Sequence, residues 1–343
     1  MRILLIGGNG FIGSPLAREL RAGGHAVAVF HRNADVHSTG DMVRIKGDRS
    51  HLSDSLDQIQ QFSPQVIVDL ILSSGEQVPE LMNTARRVAQ RVVAISSMDV
   101  YRAWGVVHQS EPGPPEPLPL TEDSAVRTNR HLYPPETIRM MQSIFSWVDE
   151  SYDKIAVEEA VLNNSDVAGT ILRLPMVYGP GDPLHRFFPL LKRFADGRPF
   201  IPLAEDLAAW RGPRGYVENI AHAIALAATL DQAVGRIYNV CEEPVLSELA
   251  WQTRIGAQAQ WHGKFVVMPR ERTPKHLLQP GNPAQHVVVS SERIRAELGY
   301  KEPVDSDQAI RRTIAWEQNN PPATINLQQF DYAAEDAALD RRP

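Results

Sequence analysis

The sequence predicts an α/β fold in which a doubly wound parallel sheet is joined by a smaller, interleaved C-terminal domain. Three observations lead to this expectation. Short apolar runs alternate with amphipathic stretches through the first half of the chain. A glycine-rich turn lies directly between the first apolar run and the first amphipathic stretch. The length of 343 residues is large for one compact domain but short for three.

The first half of the chain has the alternating strand and helix patterns of a parallel sheet. Strands are predicted at Arg2–Ile6, Ala26–Phe30, Val43–Ile45, Val66–Leu72 and Val92–Ser96. Helices are predicted at Phe11–Ala22, Leu52–Phe62 and Glu76–Gln90. The proline-rich stretch 104–135 interrupts this alternation. Because proline cannot donate to a sheet or sit inside a helix, we expect a surface loop there.

Regular patterns resume after this stretch. Strands are predicted at Gly169–Leu174 and Arg236–Val240. Helices are predicted at Lys154–Asn163, Phe188–Ala195, Val217–Leu230, Leu246–Ile255 and Ser291–Leu298. We assign residues 1–178 and 212–245 to the sheet domain, and residues 179–211 and 246–343 to a smaller substrate-binding domain with a C-terminal tail. The chain beyond Trp316 contains Pro321-Pro322 and several acidic residues, which indicates a surface strap or a partly mobile segment.

Charge and cysteine content argue against several classes of function. The formal net charge is −6 and no run of Lys and Arg occurs, so we expect no nucleic-acid partner. The single cysteine, Cys241, permits no intrachain disulfide, which fits a reducing compartment. The opening apolar run Ile3–Ile6 is too short for a signal peptide, and no run reaches the roughly 20 apolar residues of a membrane span. We therefore expect a cytoplasmic protein without a membrane partner.

The glycine-rich turn has the features of a phosphate-binding loop. Gly7 permits a tight turn after the first strand, and Gly10 lets the backbone approach a pyrophosphate. Gly13 lets the following helix pack closely on the strand, while the N-terminus of that helix offers free amides and a positive dipole end. This placement between a strand and a helix predicts a dinucleotide cofactor.

Further motifs give the sequence a family resemblance. They are Gly47-Asp48, Ser96-Ser97-Met98-Asp99-Val100-Tyr101, Arg173-Leu-Pro-Met-Val-Tyr-Gly-Pro-Gly-Asp182 and Leu298-Gly299-Tyr300. With the glycine turn, they resemble the extended short-chain dehydrogenases/reductases, the NAD-dependent epimerase/dehydratase group. The resemblance implies a Rossmann sheet and an enzyme that moves hydride to or from a sugar-like or other polar small molecule. It also implies a possible homodimer that pairs the helix Lys154–Asn163.

The resemblance also implies which residues bind the cofactor. They are Gly7, Asn9, Gly10, Phe11, Ile12, Gly13, Arg32, Asp48, Arg49, Leu70, Lys154, Pro175 and Val177. Among them, Arg32 follows the second strand, where NAD-binding proteins commonly carry an acid for the ribose 2′-hydroxyl. A planar guanidinium suits a 2′-phosphate instead, so we favour NADP over NAD.

The resemblance places the catalytic residues at Ser97, Tyr152 and Lys154. In the family a tyrosine precedes the lysine by four residues, and the nearby ammonium favours the phenolate for proton transfer. Here that position holds Glu150, and Tyr152 is only two residues away. Two such positions on a regular helix differ by about 200°. Tyr152 therefore acts from a non-helical position, or Glu150 replaces it, or the site has lost proton transfer.

The substrate side is less defined by sequence. Trp104, Trp210, Arg211 and Arg214 are expected near the cleft beyond the strand ends. The two arginines suit a diphosphate, or else are surface residues paired with Glu205 or Asp206. The histidines have no metal-ligand spacing, so no metal is predicted. A dinucleotide-binding sensor or scaffold without turnover is the alternative function.

Overall fold

The strands and helices follow the predicted alternation through the first half of the chain. In the computed structural model, which describes residues 1–32 and 42–340, the strands are β1 (Arg2–Ile6), β2 (Ala26–His31), β3 (Val43–Lys46), β4 (Val66–Asp69), β5 (Arg91–Ser97), β6 (Ala168–Leu174), β7 (Met176–Tyr178), β8 (Phe200–Ala204), β9 (Arg214–Tyr216), β10 (Ile237–Asn239) and β11 (Lys264–Met268). The helices within these ranges are α1 (Gly13–Ala22), α2 (Leu56–Phe62), α3 (Val78–Val88), α4 (Arg102–Val107), α5 (Pro135–Ile144), α6 (Lys154–Leu162), α7 (Phe188–Ala195), α8 (Glu205–Ala209), α9 (Val217–Thr229), α10 (Glu248–Gln258), α11 (Glu292–Leu298), α12 (Ser306–Asn319) and α13 (Tyr332–Asp340).

The main sheet confirms the predicted fold class. Its seven strands lie in the order β10-β6-β5-β4-β1-β2-β3, and all its pairings are parallel. Successive side chains of β1 point to opposite faces. Ile3 and Leu5 join one apolar cluster with residues of α1 and α9, whereas Leu4 and Ile6 join another with residues of α2, α3 and α6. Both faces are therefore covered by helices, as a parallel sheet requires.

The position of β1 in the sheet defines where a ligand can bind. The chain runs from β1 to β2 and β3 on one side, then returns to β4 on the other side of β1. In open α/β sheets, ligands bind beyond the carboxyl ends of the strands at such a switch point. The first βα turn and the residues that follow β4, β5 and β6 therefore surround the candidate site.

The region predicted as a proline-rich loop is more ordered than its composition suggests. It begins inside α4, and its middle packs against the protein, because Leu120 and Glu122 are buried. The Leu120 N–H donates to the Val288 carbonyl at 2.8 Å, and the Glu122 carboxylate accepts from the Asn239 N–H at 2.8 Å. Backbone hydrogen bonds to distant segments thus replace the local regular structure that proline prevents.

Several elements in the second half of the chain were not predicted, because no local sequence pattern indicates them. The strands β8 and β11 form a separate two-stranded parallel sheet, and α12 and α13 follow the last predicted helix. The tail packs as a strap through Glu335, which is fully buried and pairs with Arg193 at 2.7 Å. Within the described ranges, none of the helices is both long and apolar enough to cross a bilayer.

A buried ion pair holds α6 on the sheet. Arg173 of β6 donates to both carboxylate oxygens of Glu158, with the shortest contact at 2.6 Å, and both side chains are almost fully buried. The Ser96 hydroxyl donates to the same carboxylate at 2.6 Å. Breaking a buried pair by removing one partner leaves an uncompensated charge, which costs about 3–5 kcal/mol.

We therefore expect Glu158→Gln to lower the free energy of unfolding by about 3 kcal/mol or more, measured as a lower urea midpoint. The matched control is Asp166→Asn, which removes an exposed pair with Arg86 at 3.8 Å. Exposed pairs contribute about 0–1 kcal/mol, so the control should change the midpoint little. Equal effects of the two substitutions would contradict the assignment of the buried pair as a structural anchor.

Candidate active site

The glycine turn has the geometry that the sequence predicted. Gly7 has a φ of +83°, which side-chain-bearing residues rarely adopt, and its carbonyl accepts from the Gly10 N–H at 3.0 Å. A Cβ on Gly13 would lie 2.3 Å from the Gly7 carbonyl oxygen. Only glycine therefore allows α1 to start this close to the turn. No side chain caps the N-terminus of α1.

This turn fits a dinucleotide pyrophosphate. A Cβ added to Gly10 would meet the Gly7 carbonyl oxygen at 3.3 Å and no other atom within 4 Å. The outer side of the turn is therefore open, and the uncapped helix start leaves N–H groups for an anion. Asn9, Phe11 and Ile12 are partly exposed in the same turn. The predicted phosphate-binding residues are thus placed together.

Two of the predicted cofactor residues, Arg32 and Asp48, are exposed. Arg32 follows β2 and donates from Nη2 to the Ser146 hydroxyl at 2.7 Å. Asp48 precedes a short 3₁₀ helix and accepts from the Ser50 N–H at 2.9 Å. That hydrogen bond, with a smaller contribution from the Arg32 charge, lowers the pKa of Asp48. Arg32, which follows β2, and Asp48, which follows β3, therefore lie near each other at the adjacent ends of these paired strands.

The other predicted cofactor residues are positioned by the strand ends. Arg49 is buried and donates from Nε and Nη2 to one oxygen of Asp69, at 3.1 and 2.9 Å, so its guanidinium fixes the end of β4. Leu70 lies beside Gly7, because a Cβ added to Gly7 would be 3.4 Å from the Leu70 Cβ. Pro175 and Val177 lie at the junction of β6 and β7.

Lys154 is the most deeply placed of the predicted catalytic residues. It is the first residue of α6 and is 4% exposed. Its ammonium donates to the Ile95 carbonyl at 3.1 Å and to the Leu72 carbonyl, so it lies between the carboxyl ends of β4 and β5. Burial lowers the pKa of Lys154 to about 8. Three N–H donors with two partners leave one donor for a ligand.

Tyr152 lies outside α6, because Asp153 caps that helix. The Tyr152 hydroxyl donates to the Asp99 carboxylate at 2.8 Å, and the Tyr133 hydroxyl donates to the same oxygen at 3.2 Å. Burial and the Asp99 charge raise the pKa of Tyr152 well above 10. The Lys154 ammonium lies 6.0 Å from the Tyr152 ring centre. The phenol therefore stays protonated at neutral pH.

Asp99 connects the predicted catalytic residues, although the sequence reasoning did not assign it. Its N–H donates to the Ser97 hydroxyl at 3.2 Å, while its carboxylate holds Tyr152. The other oxygen of this carboxylate is buried without a hydrogen-bond partner. Glu150, the alternative acid, is exposed in the turn before α6. Asp99 stands in the quoted serine motif, whereas Tyr133 had no motif to identify it.

A cavity of about 460 Å³ approaches these residues through His108, whose ring centre is 5.5 Å from that of Tyr133; Ser97, Asp99, Tyr152 and Lys154 do not line it. Trp104, Trp210 and Arg214, which were expected near the substrate cleft, line this cavity, whereas Arg211 is exposed and does not line it. The suggested pairing of arginines with Glu205 or Asp206 is replaced by other pairs. Arg214 pairs with Glu248, and Asp206 pairs with Arg270.

The lowered pKa of Lys154 makes stability depend on pH. Between about pH 8 and 10.5 the unfolded chain keeps the Lys154 proton and the folded chain loses it, so the folded state gains stability as the pH rises. The free energy of unfolding of the wild type minus that of Lys154→Met should therefore increase by about 3 kcal/mol between pH 8 and pH 10.5. Urea unfolding at several pH values measures it. The exposed Lys301→Met is the control, and a parallel pH dependence of wild type and Lys154→Met would contradict the lowered pKa.

Comparisons with known proteins agree with this arrangement. A curated relative from a Streptomyces species, a 3-diazoavenalumate denitrifying reductase, is 27% identical over 322 residues, covering 88% of this chain and 96% of the relative. The solved structure of a UDP-glucose-4-epimerase from Stenotrophomonas maltophila, with NAD and formylated UDP-arabinopyranose, has a TM-score of 0.68 and 17% identity, covering 93% of this chain and 98% of that one.

The UDP-glucuronic acid 4-epimerase of Bacillus cereus, solved with UDP-glucuronic acid and NAD, has a TM-score of 0.66 and 15% identity over 93% of this chain and 99% of that one. These likenesses show a shared fold. The model of the NAD dependent epimerase/dehydratase family matches residues 3–124 and 150–241. Since this match spans more than half of the sequence, the chain belongs to the NAD dependent epimerase/dehydratase family.

Proposed function

We propose that this protein is an NAD(P)-dependent reductase that transfers hydride from the nicotinamide ring to a small-molecule substrate. One observation carries the proposal. The open phosphate turn and the group of Ser97, Tyr152 and Lys154 lie at the same edge of the sheet, beyond the carboxyl ends of β1, β4 and β5. When bound, the cofactor supplies the hydride, and the protein supplies binding, orientation and electrostatics.

Lys154 is suited to hold the cofactor rather than to exchange protons with the substrate. Its ammonium is fixed by two backbone carbonyls and keeps one N–H for a ribose hydroxyl. Ser97 ends β5 and is only partly buried; its hydroxyl oxygen accepts from the Asp99 N–H and keeps its own proton to donate to a substrate oxygen. We propose these roles for the two residues on that basis.

Tyr152 is proposed to act with Asp99 rather than with Lys154. Its proton points to a carboxylate, so the phenolate that a general base needs is disfavoured. Reduction adds hydride to the substrate carbon and a proton to its oxygen, and the neutral Tyr152 phenol would supply that proton when its hydroxyl turns from Asp99 to the substrate. This favours reduction over epimerisation, whose first step needs a base to take a proton from the sugar hydroxyl. The curated relative named as a reductase supports the same choice.

The alternative function, cofactor binding without turnover, is favoured by the same bonding of Tyr152 to Asp99. The two functions are distinguished by adding 4-nitrobenzaldehyde, a generic electrophile, to the protein with NADPH or NADH and following absorbance at 340 nm. Cofactor oxidation that depends on both protein and aldehyde, and that Ser97→Ala reduces, supports the reductase. Tight cofactor binding with no oxidation across further aldehydes and ketones supports the sensor.

Cofactor binding at the turn is tested by Gly10→Ala. The new methyl group would occupy the open side of the turn, so we expect the dissociation constant for the cofactor to rise at least tenfold, or about 1.4 kcal/mol. Isothermal titration calorimetry measures it. Gly23→Ala, at the other end of α1 with an ordinary φ of −75°, is the matched control. Unchanged affinity of Gly10→Ala would remove the turn from the binding site.

A preference for NADP is tested at Arg32. We propose that its exposed guanidinium binds the 2′-phosphate, so Arg32→Glu should weaken NADPH binding about tenfold or more and leave NADH binding unchanged or improved. Ser146→Ala releases the hydrogen bond that Arg32 now makes but keeps its charge, and it should leave the preference unchanged. An equal loss for both cofactors in Arg32→Glu would count against this role.

A further inference from the structure

The cavity beside the candidate active site has an aromatic wall that leads to the catalytic residues. Ring centres are 6.2 Å apart for Trp210 and Trp104, 5.8 Å for Trp104 and His108, and 5.5 Å for His108 and Tyr133. Tyr133 lies 5.8 Å from Tyr152. The lining rings of Trp104, Trp210 and His108 are thus connected through Tyr133 to Tyr152, although Tyr133 and Tyr152 do not themselves line the cavity.

The positive charges of the cavity are already neutralised. Among the described residues that line it, the basic side chains that are always charged are Arg186, Arg214 and Arg270. Arg186 pairs with Asp182 at 2.6 Å and Arg270 pairs with Asp206 at 2.6 Å. Arg214 pairs with Glu248, and its guanidinium lies over the Trp251 ring at 5.0 Å. A diphosphate would have to displace these carboxylates.

Apart from the arginines and their carboxylate partners, the polar groups that line the cavity are neutral. Burial lowers the pKa of His108 below its ordinary value, so this ring adds no charge at neutral pH. The indole N–H of Trp104 is buried without a hydrogen-bond partner. Buried donors normally have an acceptor, so a ligand oxygen that reached this N–H would satisfy it. The volume of about 460 Å³ is that of a small-molecule site.

We propose that the cavity binds a planar aromatic substrate that carries an oxygen acceptor and no phosphate, rather than a nucleoside-diphosphate sugar. This inference rests on the proposed function, because the aromatic molecule would be the one reduced. Flat rings gain stacking contacts with the tryptophans of the wall. The unpartnered Trp104 N–H gives one point of orientation.

The test compares two probes by isothermal titration calorimetry, using the protein saturated with oxidised cofactor. The probes are methyl 4-hydroxycinnamate, which is planar and uncharged, and UDP. We expect the aromatic ester to bind at least tenfold more tightly than UDP. Trp104→Leu should weaken the ester at least tenfold, and Trp104→Phe should weaken it less, because that variant keeps a ring but loses the N–H.

Trp261→Phe is the control, since Trp261 stacks on Phe194 and does not line the cavity. Glu248→Gln frees the Arg214 guanidinium and should raise the affinity for UDP at least threefold without changing that for the ester. UDP binding as tight as ester binding, no binding of the ester, or an unchanged UDP affinity in Glu248→Gln would each overturn the inference.

Separate measurements distinguish failure of the proposed reductase function from failure of the proposed substrate class. Failure to bind NAD(P) or to oxidise it with any aldehyde would reject the reductase, whatever the ester does. Cofactor oxidation together with the absence of ester binding would reject only the aromatic substrate class. Unaltered cofactor affinity in Trp104→Leu shows that this variant is folded.

Discussion

The buried pair of Arg173 and Glu158 is the constraint on which the candidate site depends. It ties α6 to β6 in a region without solvent screening, and the Ser96 hydroxyl completes the hydrogen bonding of the carboxylate. One turn earlier on the same helix, Lys154 is forced into the gap between the ends of β4 and β5. A lysine that is buried to this extent would not remain there without such an anchor, because burying its charge is unfavourable. The anchor thus places an ammonium where a cofactor ribose is expected.

The same placement separates the tyrosine from the lysine. Since α6 starts at Lys154, Tyr152 lies on the preceding extended chain and its hydroxyl reaches Asp99 instead. A carboxylate acceptor stabilises the neutral phenol, whereas a nearby ammonium would stabilise the phenolate. The change of partner therefore alters the chemistry that Tyr152 can perform, although the residue types in this part of the chain resemble those of the family.

The sequence was sufficient where a local pattern determines the structure. The glycine turn, the strands of the main sheet and the start of α6 follow from spacing and periodicity, and the structure has them within a few residues of the predicted bounds. The sequence was insufficient where a side chain forms an ion pair with a residue that is distant in the chain. Arg214 pairs with Glu248, 34 positions away, and Arg270 pairs with Asp206, 64 positions away. No local sequence pattern predicts either pair. The α13 strap depends likewise on Arg193 and Glu335.

These distant ion pairs determine which kind of ligand the charges of the cavity favour. Taken alone, arginines near the substrate side indicate a phosphate site, as the sequence analysis considered for Arg211 and Arg214. Once each lining guanidinium has a carboxylate, its charge is balanced, and the tryptophan rings become the largest uncharged surface that is offered to a ligand. Specificity here is therefore a property of tertiary pairing rather than of residue type. Two members of one family with the same arginines can select different substrates if only one of them supplies the carboxylates.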